Sequence, residues 1–104
     1  MIDAPPVPVA HMAARTITAE STAYTPCSSG TVMADGTRVR WGSVASNWHP
    51  LGTRIRLTRR VNGRRVFTVR DRIGSGSQLD FFMPSCQAGI RYGRRVVRYR
   101  VMGS

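Results

Sequence analysis

The chain has 104 residues, 41% of them hydrophobic, which is enough for one small core and leaves little room for a second domain. Sixteen arginines, no lysine and five acidic residues give a net charge of +11, which predicts attraction to polyanions. Arginines that alternate along a strand also commonly form a solvated face, and charge alone does not separate these two interpretations.

The N-terminal half predicts an arm and then short strands. Residues 1–15 are rich in alanine and proline, which is typical of a flexible or extended arm ahead of a domain at 16–104. Asp35 and Gly36 supply the positive φ that a tight reversal needs. Strand-like patterns occupy 16–24, 38–42 and 43–45.

The C-terminal half contains further strands, a hairpin and one helix. Strand-like patterns occupy 53–59, 65–70 and 95–102, and a helix-like pattern occupies 84–92. Asn62 and Gly63 give the strongest hairpin signal in the chain, and Gly93 ends the helix. Six short strands, one hairpin and one small helix predict a compact, mainly β barrel or sandwich.

Two aspartates, Asp71 and Asp80, are the strongest candidates for chemistry. Each ends or follows an apolar run, and a loop rich in glycine and serine links them. This arrangement predicts two carboxylates presented close together from strand ends, in a strongly positive field. The alternative is that both serve structural ion pairs or cap loops.

Cys27 and Cys86 lie 59 positions apart. Two cysteines alone make a poor metal site, and neither histidine lies at ligand spacing from them, so we expect no metal and no cofactor. In an exported protein they would form one disulfide, which stabilises by about 4 kcal/mol on the loop-entropy relation. Two buried free thiols are the alternative.

The sequence leaves two possible locations for the protein open. No apolar run approaches the length that spans a bilayer, and prolines interrupt the early apolar residues, so no signal peptide is evident. We therefore expect an extracytoplasmic protein whose leader lies outside this sequence, or a component of a phage particle.

Seven short segments follow one another in an order that suggests a family. They are Thr-Ala-Tyr-Thr (22–25), Ala-Asp-Gly-Thr (34–37), Ser-Val-Ala (43–45), Pro-Leu-Gly-Thr-Arg (50–54), Val-Arg-Asp (69–71), Gln-Leu-Asp-Phe-Phe (78–82) and Tyr-Gly-Arg-Arg (92–95). Together they resemble the three-aspartate domain of bacterial cell-wall enzymes, over about residues 18–101. That domain is similar to the core of membrane-bound lytic transglycosylase A, to rare lipoprotein A and, more distantly, to expansins and barwin. The resemblance implies a six-stranded double-psi β-barrel with one or two short helices.

The chain departs from the family pattern at two places. Asn47 stands where the family has its first aspartate. Asp-Arg-Ile-Gly at 71–74 replaces the usual Asp-Thr-Gly-Gly and is nearer to the Asp-Arg-Gly of rare lipoprotein A. The loop that leads to Asp80 is also a little shorter than in the transglycosylases. These departures leave the fold expectation unchanged.

The resemblance implies a lytic transglycosylase that acts on peptidoglycan glycan strands. Asp80 matches the catalytic position and Asp71 its carboxylate neighbour. Burial beside Leu79 and the Asp71 charge would raise the pKa of Asp80, whereas Arg70 and Arg72 would oppose that shift. The distances decide which effect is larger.

Five other residues lie on segments that border the family's cleft: Tyr24, Thr37, Asn47, Trp48 and His49. Trp48 could stack on a sugar face, and Asn47 or His49 could hydrogen-bond to the glycan. Ordinary packing is the alternative for Trp48, and fixing its own loop is the alternative for His49.

Two other functions compete with the enzyme. The first is a non-catalytic wall- or glycan-binding module, or a structural part of a phage tail, which the missing acid at Asn47 favours. The second is nucleic-acid binding, for which no helix-turn-helix, zinc or RNA-recognition signature is present. Anionic wall polymers are further expected partners through the arginines, and we expect a monomer or part of a larger assembly.

Overall fold

The computed structural model describes residues 15–27, 30–74 and 76–103. Its six strands and one helix are β1 Ile17–Tyr24, β2 Ser43–Ala45, β3 Arg54–Val61, β4 Arg64–Asp71, β5 Leu79–Phe82, α1 Cys86–Tyr92 and β6 Arg95–Gly103. The strands close a barrel in the order β1-β5-β2-β4-β3-β6. The predicted mainly β, six-stranded barrel with a short helix is confirmed.

Two parallel strand pairs are built into this barrel. β1 pairs with β5 and β2 with β4 in parallel, whereas the other four neighbouring pairs are antiparallel. Parallel neighbours need crossover connections, and these parallel pairs among antiparallel ones agree with the expected double-psi arrangement. The longest connection, between β1 and β2, carries the turn at Asp35.

Alternating side chains fill the barrel. In β3 the buried Ile55 and Leu57 point inward, while the neighbouring arginines point to solvent. Phe67 and Phe81 pack edge to face with ring centroids 4.8 Å apart. Tyr99 of β6 is the largest of the fully buried side chains among the described residues. The period-two pattern of the sequence thus separates an apolar interior from an arginine-rich exterior.

The hairpin and the helix end as the sequence predicts. Asn62 and Gly63 have φ values of 49° and 83°, which are the two positive values of a type I′ turn. The Ser85 hydroxyl caps α1 by accepting a bond from the Ala88 amide at 3.1 Å. Gly93 follows the helix with φ 64°.

The strand predicted at 38–42 is wrong. Arg38 forms only an isolated bridge with Val32, and the chain turns at Trp41 and Gly42 before β2 begins. Trp41 packs edge to face on Phe67, with centroids 5.3 Å apart, instead of extending a ladder. Gly42 has φ 95°, which interrupts an extended strand.

Two predictions concern features outside the barrel wall. The predicted arm at 1–15 lies outside the described residues, except for Arg15. Within the described ranges, no helix is long and apolar enough to cross a membrane.

A disulfide joins Cys27 to Cys86, as one of the two sequence interpretations expected. The Cα atoms are 5.9 Å apart, which is within the usual range for a disulfide. The bond ties the start of α1 to the chain that leaves β1. A Cβ placed on Gly89 of the same helix would collide with the Thr25 methyl group, so helix and chain are also in close van der Waals contact.

Reducing this disulfide is expected to lower the free energy of unfolding by about 4 kcal/mol, because the bond closes a 59-residue loop. Guanidinium unfolding followed by tryptophan fluorescence, with and without dithiothreitol, measures the change. The double variant Cys27→Ala, Cys86→Ala should unfold at the same guanidinium concentration as the reduced protein. Adding dithiothreitol should not change that midpoint. An unchanged midpoint on reduction would contradict a stabilising role.

Candidate functional site

Four residues form one row across the outer wall of the barrel. Thr22 of β1 is in register with Asp80 of β5, Asp80 with Ala45 of β2, and Ala45 with Asp71 of β4. Residues in register on neighbouring strands point to the same face, so the two aspartates flank the small Ala45 side chain. Two interstrand steps separate their Cα atoms by roughly 10 Å. The sequence expectation that the two carboxylates lie close together agrees with this register.

A β-bulge places Asp71 in this row. Val44 is in register with Val69, but the next residue, Ala45, is in register with Asp71, so Arg70 is the extra residue. Without the bulge, Arg70 would stand opposite Ala45 and Asp71 would point to the other face. One inserted residue therefore exchanges an arginine for a carboxylate opposite Asp80.

A small apolar cluster lies alongside the row and includes its central residue, Ala45. Tyr24, Ala45 and Phe82 are buried together, separately from the barrel core, with Val39 and Ile73 packed against them. Tyr24 and Phe82 are in register and meet edge to face, with centroids 5.3 Å apart. This cluster lowers the polarity beside the aspartates.

The Tyr24 hydroxyl is a buried donor that no described residue satisfies. Tyr24 is 9% exposed, and its hydroxyl oxygen has no hydrogen-bond partner in the described part of the chain. Burial raises the pKa of Tyr24, and the negative charges of Asp71 and Asp80 raise it further. The phenol thus keeps its proton, and its buried oxygen has almost no surface that a bound molecule could reach.

Backbone amides hold Asp71 in place. Its Oδ1 accepts bonds from the Ala34 amide at 3.0 Å and from the Arg72 amide at 2.9 Å. Such bonds suit an anionic oxygen. They also anchor the turn that follows Ala34 to the end of β4.

The two arginines that flank Asp71 in sequence are engaged elsewhere. Arg70 pairs with Asp35 at 3.7 Å. The Arg72 guanidinium donates to the carbonyls of Ser46 at 2.8 Å and His49 at 2.6 Å. Among the described residues, neither forms an ion pair with Asp71 or Asp80. The opposing effect considered from sequence is therefore weak here.

The environment of Asp80 favours the neutral carboxyl. Burial raises the pKa of Asp80, the Thr22 hydroxyl 3.0 Å from Oδ1 lowers it, and the Asp71 charge raises it again. The net direction is upward, as is typical of a carboxyl group that serves as a general acid.

A chain of hydroxyls extends from Asp80 into the barrel wall. Thr22 Oγ1 lies 2.7 Å from Ser77 Oγ, and Ser77 Oγ lies 2.9 Å from the Leu79 carbonyl oxygen. With the Asp80 contact there are three hydrogen bonds, but the two hydroxyls supply only two protons. To an ionised Asp80 the Thr22 hydroxyl donates its proton. A protonated Asp80 would instead donate to Thr22, which would donate to Ser77, which donates to Leu79. When Asp80 is ionised, one of the three contacts has no proton.

Two of the predicted binding residues are committed to local structure. Thr37 donates its amide and its hydroxyl to Asp35 Oδ1, at 2.9 and 2.6 Å, and so closes the turn. Asn47 makes a reciprocal pair with Ile73, donating to its carbonyl at 2.7 Å and accepting from its amide at 3.1 Å. Both border the site and shape it.

Trp48 and His49 point in different directions. Trp48 is 53% exposed and lines a shallow groove of about 210 Å³ with Asn47, Ile73, Gly76, Ser77 and Gln78. His49 directs Nε2 to the hydroxyl of Tyr99, 2.7 Å away, and burial lowers the pKa of this histidine. Trp48 is thus free to contact a ligand, while His49 fixes its own loop to the core.

Sequence reasoning missed three contributors to the site. Thr22, Ser77 and Ala45 were not assigned roles, although Thr22 and Ala45 lie in the segments that carry the family resemblance. The alternation of β1 and the Gly/Ser loop gave no signal that Thr22 and Ser77 meet. That contact depends on the parallel register of β1 and β5.

In comparisons with known proteins, no family model and no curated protein matches this chain. The described residues contain no group of three or more histidine, cysteine or acidic side chains that could hold a metal ion.

The hydroxyl chain predicts opposite effects of two substitutions on the pKa of Asp80. Ser77→Ala frees the Thr22 proton to donate to the carboxylate, so the pKa should fall. Thr22→Val removes the donor that stabilises the ionised form, so the pKa should rise. Titration of the Asp80 carboxyl carbon by NMR measures both shifts.

Ser43→Ala is the matched control, because the Ser43 hydroxyl is buried and has no partner among the described residues. It should leave the Asp80 titration unchanged. Shifts of the same sign in Ser77→Ala and Thr22→Val would contradict the proposed proton arrangement.

Proposed function

We propose that this barrel is a peptidoglycan lytic transglycosylase in which Asp80 acts as general acid and then general base. The observation that carries the proposal is a half-buried carboxyl with a raised pKa, beside a second carboxylate, on an otherwise arginine-rich barrel. The resemblance of the chain to the three-aspartate domain supplies the substrate class. The disulfide suits an oxidising, extracytoplasmic compartment where that substrate occurs.

In the first step, the neutral Asp80 carboxyl donates its proton to the glycosidic oxygen between N-acetylmuramic acid and N-acetylglucosamine. The bond from that oxygen to C1 of the muramyl residue breaks, and the leaving sugar keeps the proton as its 4-hydroxyl. Positive charge develops at C1. Asp71 remains a negative neighbour that stabilises this charge.

In the second step, the Asp80 carboxylate accepts the proton of the muramyl 6-hydroxyl. The 6-oxygen attacks C1 and closes the 1,6-anhydro ring, and Asp80 regains its proton. The proton that left the carboxyl is thereby replaced, so no water is consumed. The hydroxyl chain limits how strongly Thr22 stabilises the ionised carboxylate, because Thr22 and Ser77 supply two protons to three contacts.

The groove that Trp48, Ser77 and Gln78 line, on the segment before β5, would hold one sugar of an extended strand. Trp48 forms one wall, and Ser77 and Gln78 lead from the groove floor to β5. An exposed indole can stack on the apolar face of a pyranose ring.

A non-catalytic glycan-binding or structural module is the second candidate, and Asn47 favours it. Both polar atoms of the Asn47 amide are hydrogen-bonded to Ile73. The position at which the three-aspartate domain has an acid is therefore occupied here by a residue that fixes two loops together. Such a barrel would keep the groove and the Trp48 platform. It would hold glycan strands without cutting them.

Digestion of purified sacculi separates these two functions. The wild type is expected to release 1,6-anhydro-muropeptides, detected by mass spectrometry, and Asp80→Asn should release none because an amide cannot donate the proton. Glu20→Gln removes the same charge from a surface pair with Arg94 and should leave the product yield unchanged. Intact sacculi that retain bound wild-type protein would instead establish the binding module.

A measurement of thermal stability tests whether Asp80→Asn remains folded. The pKa of Asp80 is raised from 3.8, so the folded state holds this proton more tightly than the unfolded chain, and ionisation lowers stability as pH rises through the folded value. The amide removes that cost. Asp80→Asn should therefore unfold at or above the wild-type temperature at pH 7, and the difference should shrink towards pH 3.

Asp71→Asn should move the pH dependence of the reaction. The Asp71 charge raises the pKa of Asp80, so its removal should lower that pKa and shift the alkaline limb of the activity profile to lower pH. The rate at the new optimum should also fall, since the charge at C1 loses a negative neighbour. An unshifted limb with reduced rate would mean that Asp71 acts on the substrate alone.

A further inference from the structure

No acidic residue of the described part of the chain lies on β3 or β6, although Glu20 of β1 stands in register with Val96 of β6. Glu20 pairs with Arg94 at 3.2 Å, and Asp35 pairs with Arg70. The remaining two are the aspartates of the candidate site. In the described part of the chain, no carboxylate therefore stands on the outer wall made by β3 and β6.

Four arginines occupy that wall instead, and we name them the basic face: Arg54 and Arg56 of β3, and Arg98 and Arg100 of β6. All four are exposed, and no hydrogen bond or ion pair engages their guanidinium groups among the described residues. Arg56 and Arg100 are directly in register across the two strands. Like charges directly opposite each other destabilise a sheet.

The basic face continues into a second groove, which is larger than the groove beside Trp48. This groove has a volume of about 410 Å³ and includes Arg59, Arg60, Arg95 and Arg98 in its lining. Arg98 belongs to both surfaces and joins them. Arg95 is partly engaged, because it donates to the Tyr92 carbonyl at 2.9 Å and lies over that ring.

The barrel order sets the basic face opposite the carboxylate row. In the closed sequence β1-β5-β2-β4-β3-β6, the β5–β2 boundary and the β3–β6 boundary are three strands apart in either direction. A ligand on one surface therefore leaves the other open. The two surfaces can bind different molecules.

The arrangement suits a linear polymer of anions. Arginines two residues apart on one strand are separated by roughly 7 Å, so the basic face presents two parallel rows of regularly spaced guanidinium groups. Guanidinium groups bind phosphate through paired hydrogen bonds. A repeating phosphodiester placed between the rows would relieve the repulsion between Arg56 and Arg100.

We propose that the basic face binds a linear phosphodiester polymer of the cell envelope. The disulfide favours an oxidising compartment over one that holds cytosolic nucleic acids. The outward residues of this wall also include no aromatic platform for stacking bases, and Trp48, the exposed aromatic side chain, lies on the carboxylate side. The surface holds the polymer by its backbone charge, and this binding is independent of the glycan chemistry.

The test compares two double variants that lose the same charge. Arg56→Thr, Arg100→Thr changes the basic face, and Arg38→Thr, Arg40→Thr changes exposed arginines of the β1–β2 connection. Binding of fluorescent poly(glycerol phosphate) is measured by anisotropy over a salt series. The basic-face variant should bind roughly tenfold more weakly. Its slope of log affinity against log salt should fall by about 1.4, while the control keeps the wild-type values.

Other outcomes overturn the proposal. Equal losses of affinity in the two double variants would show that net charge alone drives binding. Absence of binding by the wild type would refute the proposed site. Oligo(dT) with the same number of phosphates is the second probe. Tighter binding of oligo(dT), lost in the basic-face variant, would assign the surface to nucleic acid and refute the envelope polymer.

Separate control measurements test the folding and the catalytic activity of the basic-face variant. Removing a like-charge cross-strand pair should keep or raise the unfolding temperature of the basic-face variant. On sacculi stripped of phosphate polymers, this variant should release the same products as the wild type. Loss of polymer binding with intact digestion would thus be specific to the basic face, and failure of digestion in the wild type would leave the binding result unaffected.

Discussion

The register of three strands, β5, β2 and β4, determines the whole site. Ala45 stands between Asp80 and Asp71, and one bulged residue, Arg70, decides that a carboxylate occupies the second position. A larger side chain at Ala45 would fill the space between the acids. The barrel closure holds this spacing more firmly than a loop could, because each strand is fixed on both sides.

The electrostatic character of Asp80 follows from where its neighbours point. A chain with net charge +11 would ordinarily favour ionised carboxylates, yet the nearest arginines are bound to Asp35 and to backbone carbonyls. Burial and Asp71 then outweigh the Thr22 donor, and the pKa of Asp80 rises. The hydroxyl chain to Ser77 limits the effect of the Thr22 donor, since Thr22 and Ser77 supply only two protons to three contacts.

The sequence predicts local features well and cross-chain contacts poorly. The Asn62 turn and the end of α1 at Gly93 depend on residues adjacent in sequence, and both are confirmed. The strand expected at 38–42 fails because Trp41 gains more by packing on Phe67 than by extending a ladder. The contact between Thr22 and Ser77 joins positions 55 apart, and only the parallel pairing of β1 with β5 brings them together.

The separation of charge around the barrel would let one small domain carry both the proposed acid site and the proposed polyanion surface. A general acid needs few cations nearby, whereas a polyanion surface needs many. Mobile ions screen interactions between exposed charges beyond about 8–10 Å at physiological salt, so arginines on the β3–β6 wall act weakly on Asp80 across the barrel. The apolar core, filled by side chains such as Phe67 and Tyr99, keeps the two walls apart. Closure of the sheet, which removes exposed edges, thus also provides the distance that the carboxyl chemistry requires.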